Sequence, residues 1–170
     1  MSWFDRARPV LALVAVVGLS GCFQPLYGEM AHPGLVEAMR EVEVAPIPLR
    51  IGHYLGDDLI TRMNGSGSTP SAQYRLIVKV STSSQTPTVE SQIETADAAT
   101  VVGTADFDLI KIEGEKLIYH GTATGAAVYD RSLQSFANLR AARDAEIRLA
   151  RTLSDEIELR VAAALGQTKL

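Results

Sequence analysis

Cysteine is almost absent: the 170 residues hold one, Cys22. A lone thiol makes no internal disulfide and no pair of zinc-ligating thiolates, so disulfide scaffolds, thiol redox motifs and zinc fingers are excluded together. An excess of positive charge is missing too. Lys and Arg number 16 against 20 Asp and Glu, a net charge of -4, and the basic residues are scattered, which removes the electrostatic footprint of a nucleic-acid binder. Long apolar runs are confined to Val10–Leu19, which as a helix spans about 15 Å, half of a bilayer's hydrocarbon thickness and too little for a permanent span. No GxSxG elbow, Walker lysine or HExxH occurs, so the motifs that mark hydrolases and nucleotide-binding enzymes are wanting. What is present, 46% hydrophobic and 21% charged residues, is the balance of a globular chain of one ordinary domain.

Arg6 and Arg8 precede the apolar run Val10–Leu19, the arrangement of a secretory signal. Directly after it, Leu19-Ser20-Gly21-Cys22 resembles the bacterial lipobox. That resemblance implies a diacylglyceryl thioether on Cys22, cleavage before it and acylation of the new amine. Two acyl chains already anchor a protein stably. Phe23 follows the cysteine instead of Asp, which by analogy with lipoprotein sorting directs the chain to the periplasmic leaflet of the outer membrane. The expected organisation is a cleaved signal over 1–21, a lipidated Cys22 and tether over 22–40, and one α+β domain over 41–170.

Within that domain Glu41–Ile47 alternates charged and apolar residues, a half-buried strand that Pro46 and Pro48 end. Over Gly52–Met63 the period becomes helical, with Tyr54, Leu55, Leu59, Ile60 and Met63 on one side. Asn64–Pro70 reads as a loop. Gln73–Ser81 alternates again, placing Tyr74, Leu76, Val78 and Val80 opposite Arg75, Ile77 and Lys79. Thr100–Ile112 sets Val101, Ala105, Phe107 and Leu109 on one face, Glu113–Glu115 turns, and Lys116–Val128 returns. Strands joined by short turns pair antiparallel. From Asn138 to Leu165 there is neither Pro nor Gly, and Leu139, Ala142, Leu149, Ala150, Leu153, Ile157, Val161 and Ala164 form an apolar stripe, with Gly166 a natural residue to follow the helix end. Glu146 interrupts that stripe, and Arg140, Asp144, Arg148, Arg151, Asp155 and Glu158 cover the other side, with Arg140–Asp144, Asp144–Arg148 and Arg151–Asp155 at i,i+4 spacing. The order β-α-β-β-β-α predicts a two-layer α+β sandwich: a four-stranded, mostly antiparallel mixed sheet with both helices on one face.

Chemistry-bearing constellations are few. His53 and Asp57 are four apart on the first helix, but no third ligand accompanies them, and the bland reading is a solvated helical face. His32 falls in the tether and His120 in a strand, neither beside a nucleophile. No catalytic residue, metal site or cofactor is assigned. Arg75 and Lys79 lie on one strand face roughly 13 Å apart, a spacing that could meet separate phosphates, or else belong to an ordinary solvated sheet face. Glu90, Glu94 and Asp97 make the neighbouring hairpin end acidic. The helix-free face is expected to show Arg75, Ile77, Lys79, Gly103, Thr104, Thr122 and Thr124.

Cys22-Phe23-Gln24-Pro25-Leu26-Tyr27-Gly28 resembles the C-G-F-x-P-L-Y-G opening of the lipopolysaccharide-assembly lipoprotein family of alphaproteobacteria, short of one glycine. The resemblance continues in Ile47-Pro48, Tyr74-Arg75-Leu76, Ala105, Phe107 and Leu109, Phe136-Ala137 and Asp144-Ala145, over most of the mature chain; Val128-Tyr129-Asp130 departs from the family's Ser-Tyr-Asn. It implies a non-catalytic partner and plug of the outer-membrane β-barrel that inserts lipopolysaccharide, assisting barrel assembly and contacting lipopolysaccharide. An auxiliary lipoprotein of a periplasmic lipid or solute ABC-type transport system would share anchor, size and fold. A periplasmic hydrolase is the third reading.

Overall fold

A computed structural model describes residues 34–65, 71–86, 98–132 and 134–168. The expected signal, Cys22, His32, most of the tether, and Glu90, Glu94 and Asp97 lie outside the described residues. The chain divides into the compact units Met1–Val36 and Glu37–Leu170, and the first is described only at 34–36.

The elements run α1 (Leu35–Arg40), β1 (Val42–Val44), α2 (Arg50–Met63), β2 (Tyr74–Gln85), β3 (Ala98–Lys111), a 3-10 turn (Glu113–Glu115), β4 (Lys116–Asp130) and α3 (Ser135–Thr168). The strands form one sheet in the order β1-β2-β3-β4, with β1 parallel to β2 and the other pairs antiparallel. This is the α+β sandwich expected, with corrections at its ends. Residues expected to be tether include α1, whose Ala38 and Met39 are buried. The expected strand Glu41–Ile47 is only Val42–Val44. The Ala45 N–H still donates to the Leu76 carbonyl at 2.9 Å, but Pro46 has no N–H to continue the ladder.

Alternation decides which sheet face is covered. Tyr74, Leu76, Val78 and Val80 of β2, Ala99, Val101, Ala105, Phe107 and Leu109 of β3, and Ala123 and Ala127 of β4 are all buried. The helices pack on that face. At the centre Gly103 pairs with Gly125 across β3 and β4, and Leu149 of α3 rests on both. A Cβ on Gly103 would lie 2.9 Å from Leu149 Cδ2, and one on Gly125 3.0 Å from Leu149 Cδ1. Gly103 therefore belongs to the helix side, not to the open face where it was expected; it shares strand parity with Val101 and Ala105. Gly114, at φ 79, makes the turn into β4.

The long helix is longer than its apolar stripe. It spans Ser135–Thr168 and continues through Gly166, because packing of Ala162, Ala164 and Leu165 in the core outweighs a glycine's modest helix penalty. Leu139 is off the stripe and 54% exposed: the first turns of α3 overhang the sheet. Glu146, anomalous in the sequence, is explained. Arg50 of α2 grips it with Nε–Oε2 at 2.8 Å and Nη2–Oε1 at 2.6 Å, a bidentate pair. That hydrogen bond is the main reason the Arg50 guanidinium holds its proton more tightly than usual.

At the far end of α2, Arg62 reaches Asp58 at 2.7 Å, Asp155 at 2.6 Å and Glu158 at 3.3 Å, and the Asp58 hydrogen bond leads in raising its pKa. Asp155 thus pairs across helices, not as expected with Arg151. Arg50 with Glu146 and Arg62 with Glu158 share one sequence offset, 96, so α2 and α3 run side by side in the same direction. Between these clamps the fully buried Ser154 donates to the Leu55 carbonyl at 3.5 Å.

Candidate functional site: the open sheet face and its edges

The face without helices presents Glu43 from β1, Arg75, Ile77, Lys79, Ser81 and Ser83 from β2, and Thr104, Asp106, Asp108 and Ile110 from β3. From β4 it shows His120, Thr122, Thr124 and Ala126. Arg75 and Lys79 are exposed on it together, as their parity requires. Their surroundings are not a simple cationic patch. Arg75 Nε contacts Glu43 Oε2 at 3.0 Å. Lys79 stands in register with Asp106, and Ile77 with Asp108. Asp106 accepts from the Thr122 hydroxyl at 2.7 Å, and His120 Nδ1 lies 2.7 Å from Asp108 Oδ1. The centre of the face is a ladder of cross-strand polar pairs, mixed in sign with acidic groups in the majority.

His53 and Asp57 meet at 3.5 Å on the exposed side of α2, and no cluster of potential metal ligands is found among the described residues. No described helix is long and apolar enough to cross a membrane.

The two sheet edges are treated differently. On β4 the groups facing away from β3 are bound by side chains of α3. Arg148 Nη2 donates to the Val128 carbonyl at 2.8 Å, Arg160 donates to the Thr122 carbonyl, and Glu156 accepts from the Thr124 N–H at 3.1 Å. Asp144 and Glu156 in turn orient Arg148 and Arg160. An edge strand with free ladder groups is a template for unwanted pairing, and these side chains occupy it. On the other side β1 covers only Tyr74–Leu76, so β2 from Ile77 to Gln85 has no partner strand there among the described residues.

Replacing Arg148, Glu156 and Arg160 together by Ala should leave the helix formed but free the β4 edge. The expected result is concentration-dependent association by light scattering, with far-ultraviolet circular dichroism little changed; a variant that stays monomeric at high concentration would refute the capping role. Of these only Arg148 is singled out in the sequence, as part of the polar side of the helix. The available signal was their i,i+4 chain, Arg148-Thr152-Glu156-Arg160, bordering the apolar stripe; that a strand edge lies under it depends on packing.

No protein-family model matches this sequence, and no curated protein matches it. Solved structures do resemble the fold. A provisionally named lipoprotein of Caulobacter crescentus superposes with TM-score 0.63 at 21% identity, covering 76% of this chain and 94% of that one. Rare lipoprotein B of Shewanella oneidensis gives TM-score 0.56 at 10% identity, covering 76% and 97%. A minor lipoprotein of Acinetobacter baumannii gives 0.52 at 12%, covering 73% and 92%. At such identities the likeness establishes a shared fold.

Proposed function

We propose that this chain is a lipid-anchored envelope protein of the outer membrane that acts without catalysis, as partner and plug of the β-barrel that inserts lipopolysaccharide. The observation that carries the reading is the Leu19-Ser20-Gly21-Cys22 sequence at the head of a domain whose fold is shared with lipoproteins of three bacteria. The sequence resemblance beginning at Cys22 supplies the choice of partner. An open face of Thr, Ser and paired charges suits the water-filled lumen of a large barrel better than a greasy obligate interface, since such lumens are polar. Arg75, sharing its charge with Glu43, and Lys79 are the cations this face offers to phosphates of lipopolysaccharide.

Affinity purification of the tagged protein from outer membranes solubilised in several mild detergents tests the reading. The expected result is recovery of a large barrel protein in one-to-one ratio, with less assembled barrel when the protein is depleted. Recovery of an inner-membrane transporter alone would favour an auxiliary role in a periplasmic transport system. Recovery of no barrel at all would sink the proposal.

A further inference from the structure

Charge is segregated along α3. Its first half carries Arg140, Arg143, Arg148 and Arg151 with Asp144 and Glu146, and Glu146 is already neutralised by Arg50. Beyond Leu153 come Asp155, Glu156 and Glu158 with Arg160. The helix macrodipole favours the reverse order, and neither end has a charge of the favourable sign in its terminal turn. Helix stability does not explain why the arginines gather there.

The same end exposes apolar surface. Phe136 is 70% and Leu139 54% exposed, neighbours at i,i+3 on one side of the helix. The Arg140 guanidinium sits 5.4 Å from the Phe136 ring centroid, and Arg131 and Arg143 are exposed nearby in the chain. This turn is pinned. Asn138 Oδ1 accepts from the Ser132 N–H and its Nδ2 donates to the Ser132 carbonyl, both at 2.6 Å. The Gln134 N–H donates to Ser132 Oγ at 3.2 Å. The aromatic ring is held out into solvent on an anchored backbone, which gives the exposure a fixed shape.

We propose that Arg131 and the first turns of α3 form a membrane-docking patch, with Phe136 and Leu139 entering the acyl boundary and Arg131, Arg140 and Arg143 meeting the phosphates of an anionic phospholipid surface. Aromatic and aliphatic side chains close in sequence to exposed arginines, one of them over the aromatic ring, are the composition of an interfacial helix face. Charge complementarity selects the occupant: the processed chain, without Asp5, Arg6 and Arg8, keeps 14 basic and 19 acidic residues, a net charge of -5, and is repelled by an anionic bilayer except where its cations gather. Reach agrees. From Cys22 to Gly34 the chain can extend at most roughly 40 Å, so a domain anchored as proposed above stays within about that distance of the bilayer, close enough for the patch to meet it. That argument rests on the anchor; the patch itself does not.

The test uses tryptophan. Trp3 is the sequence's one tryptophan and precedes the cleavage point, so a processed chain carrying Phe136→Trp or Leu139→Trp reports from that position alone. The lipidated protein is reconstituted into phosphatidylethanolamine–phosphatidylglycerol vesicles with and without brominated acyl chains. At positions 136 and 139 the emission should shift to the blue and lose most of its intensity to bromine. Leu159→Trp, at a position 49% exposed in the acidic half, should do neither. Arg131→Glu with Arg140→Glu and Arg143→Glu should abolish the quenching while circular dichroism stays unchanged. Absence of quenching in a chain whose N-terminal peptide carries acyl mass overturns the patch. So does equal quenching at 159, or equal quenching on phosphatidylcholine. A blue shift without vesicles, with a dimer in sedimentation, overturns it by giving the surface to a second copy. An N-terminal peptide lacking acyl mass overturns the anchor instead, and quenching by vesicles added to the soluble chain then decides the patch by itself.

Discussion

Replacing Cys22 with Ala should abolish the outer-membrane form of the protein and leave a longer precursor held by its signal segment. The thiol is the sole one in the chain, so under the proposed anchoring no other residue can take the thioether. Without that modification the cut before residue 22 is not made. The uncut segment keeps the precursor at the membrane into which it was inserted but cannot replace the acyl anchor in the outer membrane, because Val10–Leu19 covers only about half of the hydrocarbon core. Acyl chains, at about 0.8 kcal/mol per buried CH₂, hold firmly when at least two are present. The effect is therefore close to all-or-none. Membrane fractionation with mass spectrometry of the N-terminal peptide measures it, and a wild-type mature chain without acyl mass would end the lipoprotein reading.

Gly103→Val should destabilise the domain by about 1–3 kcal/mol through overpacking, a loss of several degrees in melting temperature for a chain of this length. Leu149 is fully buried and lies over the Gly103–Gly125 pair, so a Cβ 2.9 Å from its Cδ2 meets a side chain with nowhere to go. Either α3 lifts from β3 and β4 or the valine is strained. If the clash is the cause, Leu149→Ala in the same chain should return part of the loss, although alone it costs about 2–5 kcal/mol. Calorimetry of the singles and the double closes the cycle, and strict additivity would contradict a direct contact.

The alternation of Tyr74, Leu76, Val78 and Val80, and of Val101, Ala105, Phe107 and Leu109, was enough to place both strands and their covered faces, because strand periodicity is local. The helical stripe from Leu149 to Ala164 was legible for the same reason; the anchor at Cys22 is what the resemblance of Leu19-Ser20-Gly21-Cys22 to a lipobox implies. Helix ends were not. Gly166 stays helical because its neighbours are buried, and Leu139 is exposed because α3 outruns the sheet; both depend on where the helix lies.

The helix-free face was readable as a parity, but its electrostatics were not. Arg75 faces Glu43 and Lys79 stands opposite Asp106 because β1, β2 and β3 adopt one register, and a cation's partner across a sheet is invisible along the chain. Glu146 makes the point most clearly. In sequence it is a charge misplaced on an apolar stripe; in the fold it is where Arg50, 96 positions away, fastens α2 to α3. Local order follows from residue spacing because it is set by steric periods of a few residues. The pairing of charges, the capping of the β4 edge and the exposure of Phe136 were decided only by tertiary structure, since each depends on which distant segments packing brings into reach.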